Sequence, residues 1–197
     1  MGSKERIERA KDNIRTDILD AAMGMVKNEG WQSLSMRKIA DSIEYTPPVI
    51  YCYFLNKEAV LIELAKRCYA MLNAHIEYYL EPITDTRQRL EMIMIAYMDF
   101  AIKEKELYQL INGVGTDLND VRKAFPGLTR LMNLFREEIE KLTKEKPLTE
   151  ELFLCKYFTL VSFVHGLISV NYYFKDIDKA MNDKILKEGM AGVINSI

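Results

Sequence analysis

Apolar side chains recur along this chain at helical spacing. From Ile14 they fall at Ile18, Ala21, Ala22, Met25 and Val26, the stripe of a helix that faces a core. Asn28-Glu29-Gly30 ends that stripe, with glycine expected in a left-handed cap. Ser35 is placed to N-cap a short helix carrying Met36, Ile39, Ala40 and Ile43. Thr46-Pro47-Pro48 opens the next, a threonine cap followed by proline at the first helical position, where the missing N–H is harmless. That helix holds Val49, Ile50, Tyr51 and Tyr53, and Asn56 then caps a longer one running through Val60, Leu61, Leu64, Ala65, Tyr69 and Leu72 to near Glu81-Pro82. Beyond it the spacing predicts helices over 84–103, 105–113, 127–145, 149–174 and 176–195, with Gly113-Val114-Gly115 and Pro126-Gly127 as the main breaks. Strand-like alternation bounded by turns is hard to find, so the expected fold class is all-α. A seam near residue 57, where short helices give way to long ones, divides 1–56 from 57–197.

One segment departs from the amphipathic pattern. Leu152 to Phe174 is apolar on nearly every side and long enough to span a bilayer, but Lys156, His165 and Asn171 interrupt it and no basic flank precedes it. A soluble helix of this kind is buried on both faces, by its own domain and by a second subunit. That reading is favoured, with Ser162 and Gly166, one turn apart, allowing two such helices to approach closely.

Composition narrows the function classes. The 197 residues are 49% apolar and 28% charged, an ordinary globular balance. Net charge is −2, and residues 1–60 carry nine basic and nine acidic side chains, so any nucleic-acid surface must be a local arrangement of charge. Three scattered cysteines, Cys52, Cys68 and Cys155, suggest a reducing compartment, and the charged N-terminus lacks the apolar stretch of a signal peptide. A cytoplasmic location is expected. Cys68 and His75 are seven apart, but no second pair completes a metal set, and Cys52 reads as an inert thiol. With two histidines and no phosphate loop or nucleophile–base pattern, neither catalysis nor a cofactor is expected.

Residues 35–54, SMRKIADSIEYTPPVIYCYF, have the dimensions of a helix-turn-helix. Ile39, Ala40 and Ile43 pack the first helix inward, and Ile50 and Phe54 anchor the second from beneath. Pro47, Pro48, Val49, Tyr51 and Tyr53 are left near its open side or ends. The run Ala22, Gly30, Trp31, Leu34, Ser35, Met36, Arg37, Ile39, Ala40, followed by Thr46, Ile50, Tyr51, Tyr53, Phe54, Lys57 and Glu58, resembles the N-terminal domain of tetracycline-repressor (TetR) family regulators. The resemblance is detailed over about residues 10–64. Later it covers only length, helicity and two long C-terminal helices.

The resemblance implies a homodimeric transcription factor, usually a repressor, that binds a palindromic double-stranded DNA operator and is released by a small-molecule effector. The last two helices of each subunit would form the dimer contact, including Ser162 and Gly166, and the fourth helix would relay effector binding. By position, Ser35 and Thr46 look like phosphate contacts at helix N-termini, and Lys57 like a further phosphate clamp. Tyr51 and Tyr53 bond phosphates or lay a ring on a thymine methyl, although core packing competes, evenly for Tyr53. Arg37 is the base-reading candidate, since guanidinium pairs bidentately with guanine. A bland alternative is a salt bridge to Asp41. Pro47, Pro48 and Val49 offer apolar surface to thymine methyls. The arm Lys4, Arg6, Arg9, Lys11 and Arg15 follows the backbone or minor groove, or is a solvated helix face interleaved with Glu5, Glu8 and Asp12. Two departures stand out. Glu44 occupies a turn position where the family often has glycine, and Pro48 replaces a glycine of the recognition helix.

For the effector, Met94, Tyr97, Met98, Met132, Phe135, Tyr157, Val161 and His165 form a Met- and aromatic-rich set that can line a cavity for an apolar or aromatic compound. Most such residues are core in any account. Two competing classes are a helical DNA-binding or interaction protein with no effector, and an enzyme acting on its pocket ligand.

Overall fold

The computed structural model describes residues 3–113, 126–143, 148–174 and 177–195. Among them stand nine α-helices, one 3-10 turn and no strand. The helices are α1 (Ser3–Glu29), α2 (Met36–Ser42), α3 (Pro47–Tyr51), α4 (Lys57–Leu80) and α5 (Thr86–Lys103). They continue with α6 (Lys105–Gly113), α7 (Pro126–Leu142), α8 (Glu150–Tyr173) and α9 (Lys179–Ile194). The chain packs as two compact units, Met1–Tyr69 with Glu104–Phe125, and Ala70–Lys103 with Pro126–Ile197. α4 therefore contributes its first half to one unit and its second half to the other.

In the first unit the expected stripe of α1 is the buried face: Ile18, Ala22 and Val26 are fully covered. The helix itself begins at Ser3, well before that stripe. Residues 3–13 contain neither glycine nor proline and are rich in Glu, Lys, Arg and Ala, so propensity carries the helix where no core faces it. Gly30 has φ +80° but ψ 158°, an extended and not a left-handed helical cap; its N–H donates to the Val26 carbonyl at 2.9 Å. A Cβ there would meet Glu106 Oε2 at 3.0 Å. A 3-10 turn, Trp31–Ser33, follows, an element the periodicity did not predict. α6 packs on α1 and on this turn, burying Leu107 and Leu110, while Lys27 pairs with Glu104 at 3.3 Å. Cys68 is buried, and burial pushes its thiol up to about 12.

The second unit is built from α5, α7, α8, α9 and the last turns of α4. Pro126 begins α7 instead of breaking the chain, in keeping with proline's ease at a helix start. Thr149 and Asp178 cap α8 and α9, their side chains accepting from Leu152 N at 3.2 Å and Met181 N at 2.8 Å. Glu138, fully buried on α7, accepts from Arg89 Nε at 2.7 Å and Lys141 Nζ at 2.8 Å, so its charge is paired. α8 is long and apolar enough to cross a membrane, with a third of its most apolar stretch buried. Its inner side covers Phe153, Tyr157, Leu160, Val164, Leu167 and Ile168, and its outer side leaves Leu152, Phe158 and Val170 exposed.

Candidate nucleic-acid interface and effector cleft

α2 forms where Ser35 caps it: its Oγ accepts from Lys38 N at 3.2 Å. The hydroxyl proton stays available to an incoming oxygen. α2 closes through Tyr45 N, which donates to the Ala40 carbonyl at 3.0 Å. The chain then reverses at Glu44, at φ +59° the one non-glycine residue with positive φ among those described. Glu44 thus adopts the glycine-type conformation expected from the sequence, at about 1–2 kcal/mol of steric cost.

α3 differs from its expected start. Thr46 is the N-cap by position, but its side chain makes no capping bond. The reason is chemical: Pro47 and Pro48 have no N–H, and Val49 N already donates to the Thr46 carbonyl at 2.9 Å. This short helix offers no amide cradle to a phosphate, and only the Thr46 hydroxyl remains. Ile50 and Phe54 lie beneath, 0% and 4% exposed, as their spacing predicts, while Tyr51 is 53% exposed and Tyr53 half-buried. Pro48 is exposed, and Pro47 and Val49 are half-buried. Cys52 Sγ donates to the Pro48 carbonyl at 3.3 Å.

The surrounding charges sort by what already holds them. Arg37 Nε lies 3.9 Å from Asp41 Oδ2 with both groups exposed, a loose pair of small worth. Lys38 is bound to Glu29 at 2.8 Å, which keeps the Glu29 carboxyl below its usual range. Lys57 Nζ donates to the Gln32 carbonyl at 2.8 Å, pinning the start of α4 to the 3-10 turn. Asn56 caps that helix, its Oδ1 accepting from Ala59 N at 2.9 Å. In the basic arm, Arg15 is committed inside the unit, lying over the Phe54 ring at 5.0 Å and pairing with Glu63 at 3.2 Å. Arg6 and Lys11 are exposed on a continuous helix. Two exposed side chains beside α3 were not singled out from sequence, Tyr45 and Leu55, at 40% and 84%. Their only sequence signal is adjacency to the turn and to the anchor Phe54.

In the second unit the proposed effector residues divide. Met94, Tyr97, Met98, Met132, Phe135 and Tyr157 are buried, and Val161 and His165 half-buried. Tyr97 Oη lies 3.2 Å from His165 Nε2, and Phe135 meets Tyr157 edge-on. Of the eight, Met98 alone lines a cleft of about 310 Å³ that the unit contains. The cleft is walled by Ile95, Ile102, Ile177 and Leu186, with Tyr79, Asp99, Lys103, Asn171 and Asn182 among its polar lining. Asp99 Oδ2 gathers Lys103 Nζ at 2.9 Å, His75 Nε2 at 3.0 Å and Tyr79 Oη at 3.1 Å. Burial alone would raise the Asp99 carboxyl, but Lys103 and Tyr79 outweigh it and hold it below its usual range. Among the described residues no three His, Cys, Asp or Glu side chains gather as a metal site.

A helix-turn-helix followed by a helical bundle defines a class of modular DNA-binding proteins. The family model for bacterial regulatory proteins of the tetR family matches residues 18–64, the segment that holds the helix-turn-helix, so the chain carries the DNA-binding domain of that family. It is 30% identical over 101 residues to the transcriptional activator FasR of Mycolicibacterium smegmatis, covering 51% of this chain and 46% of that protein, so the match spans about half of that relative. It is 24% identical over 170 residues to the nucleoid occlusion factor SlmA of Edwardsiella ictaluri, covering 82% of this chain and 84% of SlmA. Among solved structures, a protein of unknown function from Rhodococcus sp. RHA1 superimposes with a TM-score of 0.74 at 19% identity, over 93% of this chain and 94% of that one. The transcriptional repressor FadR of Thermus thermophilus, in complex with lauroyl-CoA, gives 0.64 at 21% identity over the same shares.

Proposed function

We propose that this chain is a cytoplasmic, homodimeric transcriptional regulator that binds a palindromic DNA operator and is released from it by a small apolar or aromatic effector, acting as a repressor. The observation that carries the reading is the division of α3 and its following turn. Ile50 and Phe54 are committed to the core while Pro48 and Tyr51 face outward from a rigidly anchored helix. Ser35, Thr46 and Lys57 then hold phosphates, Tyr51 and Tyr53 bond or stack at the groove edge, Pro47, Pro48 and Val49 meet base edges, and Arg37 reads one base pair. The exposed apolar side of α8, with Ser162 and Gly166 both exposed on it, supports a mate helix as its cover in preference to lipid. A two-fold dimer sets two α3 helices about one turn of duplex apart.

For the effector, the cleft beside Met98 has a volume at the lower end of the small-molecule range. Its apolar walls suit an apolar body. The lauroyl chain of the lauroyl-CoA held by Thermus FadR supports an effector with an apolar body. Release requires that the effector prefer the spacing of the helices that does not fit DNA, with α4 as the element shifted. A second reading is a DNA-binding protein without an effector; the similarity to SlmA, a nucleoid occlusion factor, along most of both chains favours a role other than ligand-controlled transcription.

Selection of bound fragments from a random duplex pool, combined with light scattering for mass in solution, tests the reading. A dimer bound to a palindrome, and displaced by a member of a metabolite library, is the expected result. A monomer, or indifference to every duplex at low salt, overturns it. A palindrome that no compound releases favours the second reading.

A further inference from the structure

A carboxylate interrupts an apolar face of α5. Ile95, Met98, Asp99, Ile102 and Lys103 recur at helical spacing and all line the cleft, with Ile177 and Leu186 completing its apolar wall. An acid inside such a stripe is costly unless its charge is met. Asp99, with 15% of its side chain exposed, is met by Lys103, His75 and Tyr79. Burial opposes the charge, but Lys103 and Tyr79 keep the carboxyl ionised. Among the described residues all three donors reach Oδ2, at 2.9, 3.0 and 3.1 Å, so Oδ1 keeps its lone pairs.

The three partners differ in how firmly they are held. His75 and Tyr79 stand on α4, and the His75 ring packs against those of Tyr79 and Phe100. Lys103 ends α5, 61% exposed on a flexible stem. The negative charge of the cleft is therefore fixed, while the cation that neutralises it is replaceable. Asp183, half-buried on α9, adds a second carboxylate to the lining. An anionic head would be repelled by both carboxylates, and a neutral one would gain nothing by displacing Lys103.

We propose that the cleft takes an amphipathic cation, a protonated amine on a short apolar body, whose head takes the place of Lys103 at Asp99. The inference rests on the effector reading above and names the chemistry of that ligand's polar end.

The test titrates the full chain calorimetrically, near neutral pH, with three probes of matched chain: octylamine, octanol and octanoate. Octylamine is expected to bind tightest. Asp99→Asn should weaken octylamine about ten- to hundredfold, the worth of a hydrogen bond to a charged group, and leave octanol within about twofold, which also shows the fold intact. Lys103→Ala should tighten octylamine about two- to fivefold, because the amine no longer competes with the lysine. A purely structural Asp99–Lys103 pair would not give that gain. Octanoate binding tightest, no binding of any probe, or octylamine weakened by Lys103→Ala overturns the inference. If octylamine binds as expected yet leaves a selected duplex bound, the cation site stands and the release reading falls. If another compound releases the duplex while octylamine does not bind, only the cation inference falls.

Discussion

A Cβ on Gly189 would stand 2.6 Å from both Cε1 and Cε2 of Phe163, and closer still to Cζ. The α8 ring occupies the space that any side chain on this turn of α9 would need. Gly166 and Gly192 differ, with nothing within 4 Å of the corresponding position. Gly189→Ala must therefore displace the ring, at about 1–3 kcal/mol for overpacking, against about 1 kcal/mol gained in helix propensity. A lower urea midpoint is expected for Gly189→Ala and a raised one for Gly192→Ala in the same helix. Adding Phe163→Ala to Gly189→Ala should cost less than the two changes separately. A Gly189→Ala protein as stable as the parent would show that the ring moves freely.

Glu44 invites the opposite change. Its φ of +59° is one that glycine takes without a Cβ clash, and its side chain is exposed. Glu44→Gly removes about 1–2 kcal/mol of native strain but adds roughly 0.5–1 kcal/mol of unfolded-chain freedom. A net gain of about 0.5–1 kcal/mol in urea unfolding is expected. Loss of a carboxylate beside α3 should also tighten binding to every duplex at low salt. Weaker binding would mean that Glu44 itself touches the bases.

How much of this could be read beforehand depends on whether one stretch of chain contains the whole cause. The bounds of α4 and α6 and the burial of Ile50 and Phe54 follow from local spacing, and the structure has them where the spacing places them. The glycine-like turn at Glu44 was equally local. The first turns of α1 hold no apolar stripe, only propensity, so the sequence leaves a solvated helix face and a DNA-following arm open side by side there. Thr46's missing cap bond is legible in the sequence, since two prolines delete the donors that a cap needs. Periodicity says that Met94, Phe135 and Tyr157 face inward, whereas the cleft beside Met98 draws its lining from α4, α5, α8 and α9, segments widely separated in sequence. Gly189 is illegible for the same reason, because its constraint is a ring on another helix.

His165 gives the second unit a pH dependence of definite sign. Burial lowers its pKa below the free value, and its Nε2 faces Tyr97 Oη. The unfolded chain therefore takes up the proton at higher pH than the folded one. The stability this group confers is full above the unfolded pKa, about 6.5, and declines as pH falls towards the folded pKa, at no more than about 1.4 kcal/mol per pH unit. Urea midpoints between pH 7.5 and 5.5 should fall with pH in the parent. They should fall less in His165→Gln, which cannot titrate. Equal slopes would assign the dependence to the carboxylates.

Lys57 and Arg37 separate affinity from discrimination. Lys57 Nζ has one of its three protons on the Gln32 carbonyl, leaving two for a phosphate at the start of α4. Lys57→Ala should weaken all duplexes about equally and reduce the salt slope by about 1. Among the described residues Arg37 is held by the loose, exposed pair with Asp41, so its guanidinium reorients at little cost. Arg37→Ala should cost about 1–3 kcal/mol against the selected duplex and relax preference at a single base pair. Titrations of both variants over several salt concentrations, against the selected duplex and its single-pair variants, distinguish the roles. A uniform loss with Arg37→Ala would move that side chain to the backbone, and unchanged affinity and slope in both would place the contact surface elsewhere.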